Sequence, residues 1–253
     1  NMMSSLKVGS VRYGLMLKED GMVYDDGTVT RIAEDRFLAT TTTGGAAAVF
    51  QNLEDYLQTE WPDLDLYLTS VTEQWATVTV SGPKARATLE RLTDVDLDPE
   101  NFPFMTFREG EVAGLPARIF RISFTGELSY EISVAWYHGR ALWDSLMEAG
   151  RDFGITPYGT ETMHVLRAEK GFIIVGQDTD GTVTPHDAGL SWAVGRKKTD
   201  FVGIRGLARP DLVAEGRRQL VGLTVKDGKT VLEEGGQVVA DPNQPMPMKM
   251  IGW

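Results

Sequence analysis

With no cysteine and only His138, His164 and His186 among its 253 residues, the chain must do any chemistry with carboxylates, hydroxyls and amides, or with a bound cofactor. The histidines lie on a helix face, near a helix start and in a proline loop, spacings unlike those of metal ligands, so no metal site is expected. The carboxylates that stand out are the adjacent pair Asp25 and Asp26, between Tyr24 and Gly27, and Glu131 in the run Ser129-Tyr130-Glu131-Ile132. By residue type alone the first is a hairpin turn. Glu131 reads as a charge on the open face of a strand, because burying a carboxylate without a partner is costly. Met163, Phe172 and Trp192 are core by default, and Arg196-Lys197-Lys198 is a solvated basic loop on an otherwise acidic chain.

The elements that must position these residues follow from periodicity. Val8 to Leu17 is rich in β-branched and aromatic residues, and the turn signals Glu19-Asp20-Gly21 and Asp25-Asp26-Gly27 separate short apolar runs up to Thr43, giving an antiparallel meander. Val49, Phe50, Leu53, Tyr56 and Leu57 share one helical face after Gly44-Gly45. Leu64 to Thr72 and Trp75 to Ser81 alternate as strands; 85–92 and 139–149 fit helices, and 118–123 with 130–134 fit a hairpin about Gly126. The fold class is α+β, with two mixed antiparallel sheet-plus-helix units of ferredoxin-like type over 1–208. A polar linker, 209–218, then leads into the start of a small β-barrel over 218–253. Both ends read as cut rather than finished.

From Leu166 to Gly203 the residues run LRAEKG, then GQDTDGTVTPHDAGLSW, then GRKKTDFVG. Alone they give a helix end capped by Gly171, a polar turn and a Pro185 loop. The order LRxEKG, GxDxDxxxTPxxxGLSW and GRKKxDFxG resembles the aminomethyltransferase (glycine-cleavage T-protein) superfamily. Further likeness, from the Tyr13-Gly14-Leu15-Met16 strand, the Tyr24-Asp25-Asp26-Gly27 turn and Phe102 to Glu109, is to the C-terminal half of the α subunits of heterotetrameric sarcosine oxidases. It spans about residues 8 to 253. The resemblance implies tetrahydrofolate as ligand, Asp26 as the acidic residue beside the reactive folate nitrogens, and Glu131 as the pterin-binding carboxylate. Asp25, Tyr24 and Trp192 are implied around the folate, and the basic loop suits its glutamate tail. Where the transferases carry an arginine four residues before that of LRxE, this chain has Met163, which favours the oxidase branch. Arg167 is expected to brace its helix end.

The reading that follows is a sarcosine oxidase α-subunit module. It captures the one-carbon unit from sarcosine as 5,10-methylenetetrahydrofolate, with the other oxidase subunits as partners, and FAD, FMN and NAD belong to the full complex outside this chain. The alternatives are an aminomethyltransferase of glycine cleavage or a non-catalytic folate-binding protein of the same fold; the missing cysteine weighs against the iron–sulfur maintenance relatives. A formal charge of −11 excludes nucleic acid and anionic membrane as first partners. With no apolar run long enough to span a bilayer and no signal peptide, the chain reads as cytoplasmic.

Overall fold

The structure, a computed structural model, describes residues 1–233 and 235–252. It divides into two compact units, Asn1–Leu220 and Val221–Trp253. The first begins with β1 (Val11–Leu17), β2 (Val23–Ala33) and β3 (Arg36–Ala39), a three-stranded antiparallel meander in the order β1-β2-β3, followed by α1 (Ala46–Thr59). The second half runs β4 (Trp75–Ser81), α2 (Ala85–Leu89), β5 (Thr106–Val112), β6 (Leu115–Arg121), β7 (Ser129–Ala135) and α3 (Gly139–Ala149), with sheet order β4-β7-β6-β5. Then come α4 (Thr160–Lys170), a long loop, and the one-turn helices α5 (Ile204–Leu207) and α6 (Pro210–Val213). An α+β architecture with antiparallel sheets is what the alternation patterns demanded.

The large core lies on one face of the four-stranded sheet, where Val80, Ile119, Tyr130, Ile132 and Val134 meet Leu89 of α2 and Leu142 and Leu146 of α3. The opposite face carries Phe107 and Phe120, which with Val11 and Ile122 form a smaller core. Ile32 and Leu38 of the meander pack against it, so this face is turned toward the first sheet. The chain entering β1 also meets the chain entering β5: Val11 N–H donates to Met105 O (2.8 Å) and Phe107 N–H to Gly9 O (2.9 Å).

Three expectations change. Leu64 to Thr72 is not a strand, and Leu64, Leu66 and Tyr67 are exposed, because an alternating run becomes a strand only beside another edge. The expected linker is docked instead: Arg217 grips Asp187 through Nε to Oδ1 (2.9 Å) and Nη2 to Oδ2 (2.5 Å), and Leu220 N–H donates to Asp187 O (2.8 Å). The barrel start does not appear among the described residues, where the second unit contributes one pair, β8 (Val238–Val239) with β9 (Met250–Gly252).

Candidate functional site

Strand β2 sorts the two adjacent aspartates to opposite faces, since side chains alternate along a strand. Asp26 pairs with Leu15 and Asp25 with Met16. Both oxygens of Asp25 are engaged inside the fold: Oδ1 accepts from Asp26 N–H (2.7 Å) and Thr42 N–H (3.1 Å), Oδ2 from the Thr42 hydroxyl (2.9 Å). A Cβ on Gly45 would stand 1.9 Å from Oδ2, so the glycine lets the chain close over the carboxylate at the start of α1. At 2% exposure, Asp25 holds the β3–α1 connection, a different task from the folate contact expected of it.

Asp26 faces the other way, half-buried, and Oδ2 accepts the Tyr13 hydroxyl at 2.7 Å. Oδ1 has no partner among the described residues. Burial raises the Asp26 carboxyl above its usual range and the Asp25 charge adds to this, while the Tyr13 hydrogen bond acts against it. The Tyr13 phenol is itself pushed well above its usual value, by burial and then by the Asp26 charge and hydrogen bond, so it is a permanent donor. Trp192, 64% exposed, lays its ring 5.6 Å from the Tyr13 ring at 33°. The structure therefore brings together Asp26, Trp192 and Tyr13, the last not singled out from sequence as a site residue. The signal for it was only the two-strand turn, which returns Asp26 to within reach of β1. The Tyr24 ring, also on β2, lies under Lys18 Nζ at 5.6 Å.

Glu131 occupies β7, flanked in register by Thr79 of β4 and Phe120 of β6, and Phe120 pairs with Phe107. Residues opposite each other across strands share a face, which places Glu131 on the face turned toward the first sheet. Along β7 and toward β4 its neighbours on that face are hydroxyls: Ser129 contacts Ser81 (2.6 Å) and Ser133 contacts Thr77 (2.8 Å). No hydrogen bond or ion pair reaches the Glu131 carboxylate among the described residues. Burial alone raises its carboxyl above the ordinary glutamate range. Thr79 and Ser81 also line a cavity of about 570 Å³, together with Tyr158 and Met163.

The remaining motif residues are structural. Arg167, 6% exposed, donates to Phe172 O (3.0 Å) and pairs with Asp178, whose Oδ2 also accepts from Ile174 N–H (2.7 Å); this braces the end of α4, which Gly171 closes at φ 84°. His186 Nδ1 contacts Ser191 Oγ at 2.7 Å. Among the described residues no cluster of histidine and carboxylate could hold a metal ion, and no helix is long and apolar enough to cross a membrane.

The chain is 57% identical over 240 residues to the sarcosine oxidase subunit alpha of Corynebacterium sp. (strain P-1), an alignment covering 94% of this chain and 25% of that one. It thus spans about a quarter of that relative's length. It is 33% identical over 238 residues to the aminomethyltransferase of Chloroherpeton thalassium, covering 94% and 63%. The crystal structure of the glycine cleavage system aminomethyltransferase T from Bartonella henselae superposes with a TM-score of 0.62 at 30% identity, over 76% of this chain and 49% of that one. The GCVT N-terminal domain model matches residues 1–198, the stretch that holds both sheets, Asp26, Glu131 and Trp192, and the chain belongs to that family.

Proposed function

We propose that the chain is the tetrahydrofolate-binding module of a sarcosine oxidase α-type subunit. It captures the one-carbon unit released by oxidative demethylation of sarcosine. The observation that carries this reading is the Glu131 carboxylate, half-buried on an inward sheet face with no partner among the described residues. A charge so placed is costly unless a ligand completes it, and the 2-amino and N3–H edge of a pterin offers two donors to one carboxylate. Glu131 would hold that edge, and Asp26 with Trp192 would stand at the reacting end. Tetrahydrofolate, when bound, supplies the nitrogen nucleophiles that accept the one-carbon unit as 5,10-methylenetetrahydrofolate, with glycine as the other product.

The chain's own residues contribute proximity and proton placement. Tyr13 fixes one oxygen of Asp26 and leaves Oδ1 open. Burial raises the Asp26 carboxyl above its usual range, which makes it a better proton acceptor at that open oxygen than an exposed aspartate. Met163, where the transferases carry an arginine, favours a small iminium over a carrier-borne aminomethyl group as the one-carbon donor.

In the intact oxidase, Asp26→Ala should leave flavin reduction by sarcosine nearly unchanged while folate-dependent methylene transfer falls by roughly 10²–10⁴-fold, with formaldehyde released instead. The test is to quantify both products at saturating folate. An unchanged partition in a folded variant overturns the assignment.

A further inference from the structure

Trp192 would stand at the reacting end, yet its own burial does not hold it there. It is 64% exposed, and exposed side chains change rotamer freely unless a neighbour restrains them. Its one ring partner among the described residues is Tyr13, 5.6 Å away, and Tyr13 in turn donates to Asp26 Oδ2. The stretch 183–193 brings Trp192 to Tyr13, so the placement of the ring comes down to how that stretch is closed.

Both ends of the stretch are fixed. Val183 O accepts from Val23 N–H of β2 (2.9 Å), Thr184 and Pro185 are fully buried, and Asp187 is held by Thr184 and Arg217. At the other end Ala193 is buried, with its N–H on Leu190 O (2.9 Å). Between them Leu190 N–H donates to Pro185 O (2.7 Å), and Gly189, at φ 70°, supplies the left-handed turn that brings the chain back. One side-chain contact closes the exposed part of this turn: His186 Nδ1 lies 2.7 Å from Ser191 Oγ. Ser191 precedes Trp192 and opens the single 3₁₀ turn, Ser191–Ala193, that carries the ring. The His186 ring is exposed and makes no other hydrogen bond or ion pair among the described residues, so what it contributes passes through Ser191.

We propose that His186 is a positioning residue for the folate site: by tying down Ser191 it sets the Trp192 ring against Tyr13, and so fixes the aromatic side of the Tyr13–Asp26 pair. The proposal rests on the folate reading and adds to it a residue that belongs neither to the core nor to the ligand contacts. A serine hydroxyl donates to a neutral imidazole or accepts from a protonated one, so the tie survives protonation of His186. Substitution, rather than pH, is the way to open it.

Two variants of the 253-residue chain break the tie from opposite sides, Ser191→Ala and His186→Leu, whereas His186→Asn keeps it, because the asparagine amide reaches the place of Nδ1. His186 is exposed and Ser191 half-buried, so all three should melt within about 2 °C of the parent. In ligand-free protein the near-ultraviolet circular dichroism of Trp192 is isolated by subtracting the spectrum of the same protein carrying Trp192→Phe. That signal should be largely lost in Ser191→Ala and His186→Leu and kept in His186→Asn. Calorimetry should show tetrahydrofolate bound about three- to tenfold more weakly by the first two and at near-parent affinity by His186→Asn, with the double variant no weaker than either single one. An undiminished Trp192 signal in both single variants overturns the inference, and so does unchanged folate affinity or a double variant whose losses add. A parent that binds no tetrahydrofolate overturns the folate reading instead, and the ring signal then decides whether His186 places Trp192.

Discussion

A carboxylate left without a partner, as Glu131 is among the described residues, trades stability for recognition, and the two sides can be measured separately. Glu131→Gln should weaken tetrahydrofolate binding by about 1.5–3 kcal/mol, the range for hydrogen bonds to a charged group, because an amide cannot accept from both pterin donors. Calorimetry on the folded variant checks this, and unchanged affinity removes Glu131 from the site. The ligand-free variant should melt higher than the parent at neutral pH. Burial raises the folded-state carboxyl of Glu131, so the stability linked to its neutral form is present below the unfolded glutamate value, about 4.3, and lost as pH rises through the folded value. Above that window the parent carries a desolvated charge that the amide lacks; in acid both are neutral and the difference disappears. Tyr13→Phe works on the other carboxylate. It removes the hydrogen bond that opposes burial, so the Asp26 carboxyl rises further and the acid limb of the methylene-transfer profile should move to higher pH. A merely structural tyrosine would change stability and leave that limb in place.

Among the elements, what could be read in advance was whatever its own residues determine. Helix α3 runs Gly139–Ala149, the span its apolar spacing predicts, and Gly171 closes α4 in the left-handed region as a C-terminal glycine should. Strand β5 escaped a strand reading because Glu109-Gly110-Glu111 breaks its alternation, and it is secured by β6 and by the chain before β1. The opposite error, a strand over 64–72, has the same cause: pairing is decided by a neighbour distant in sequence. The site was legible in part for similar reasons. The tripeptide Asp25-Asp26-Gly27 was visible, but which aspartate is engaged by Thr42 and which by Tyr13 depends on strand facing and on the chain's return near α1. The 209–218 stretch looked like a linker because it is polar, and polarity cannot report that Arg217 has a buried partner. Burial opposes ionisation of Asp187, yet the Arg217 hydrogen bonds and then those from Thr184 hold its carboxyl below the usual range. Asp187 therefore contributes stability that is present above the unfolded aspartate value and lost as pH falls through the folded one. Arg217→Ala should cost about 1–3 kcal/mol at neutral pH, since Thr184 still satisfies part of the carboxylate, and less in acid. Denaturant melts at both pH values check it, and equal losses would show that the pair is not what fixes the segment.

At the scale of the molecule, every residue proposed for the folate site lies in Asn1–Leu220, and the second unit is of a different kind. Val221, Leu223, Val231, Leu232, Met246 and Ile251 are exposed, and its regular structure among the described residues is two short strands. A segment of under about 40 residues seldom buries enough apolar surface to offset the chain entropy it loses on folding. The first unit has two cores and both sheets, enough for cooperative folding by itself. Truncation after Leu220 should therefore leave a protein that melts in a single transition and binds tetrahydrofolate within about threefold of the full chain, a change under about 1 kcal/mol. The peptide 221–253 alone should show no cooperative melt by circular dichroism. Leu220 is a natural place to cut because its amide is the last anchor to Asp187; a cut before Arg217 would remove the ion pair and should destabilise the first unit as Arg217→Ala does. If the truncated protein folds but loses folate affinity by tenfold or more, the second unit supplies part of the site, and the assignment of binding to Asp26, Trp192 and Glu131 within the first unit fails as a complete account.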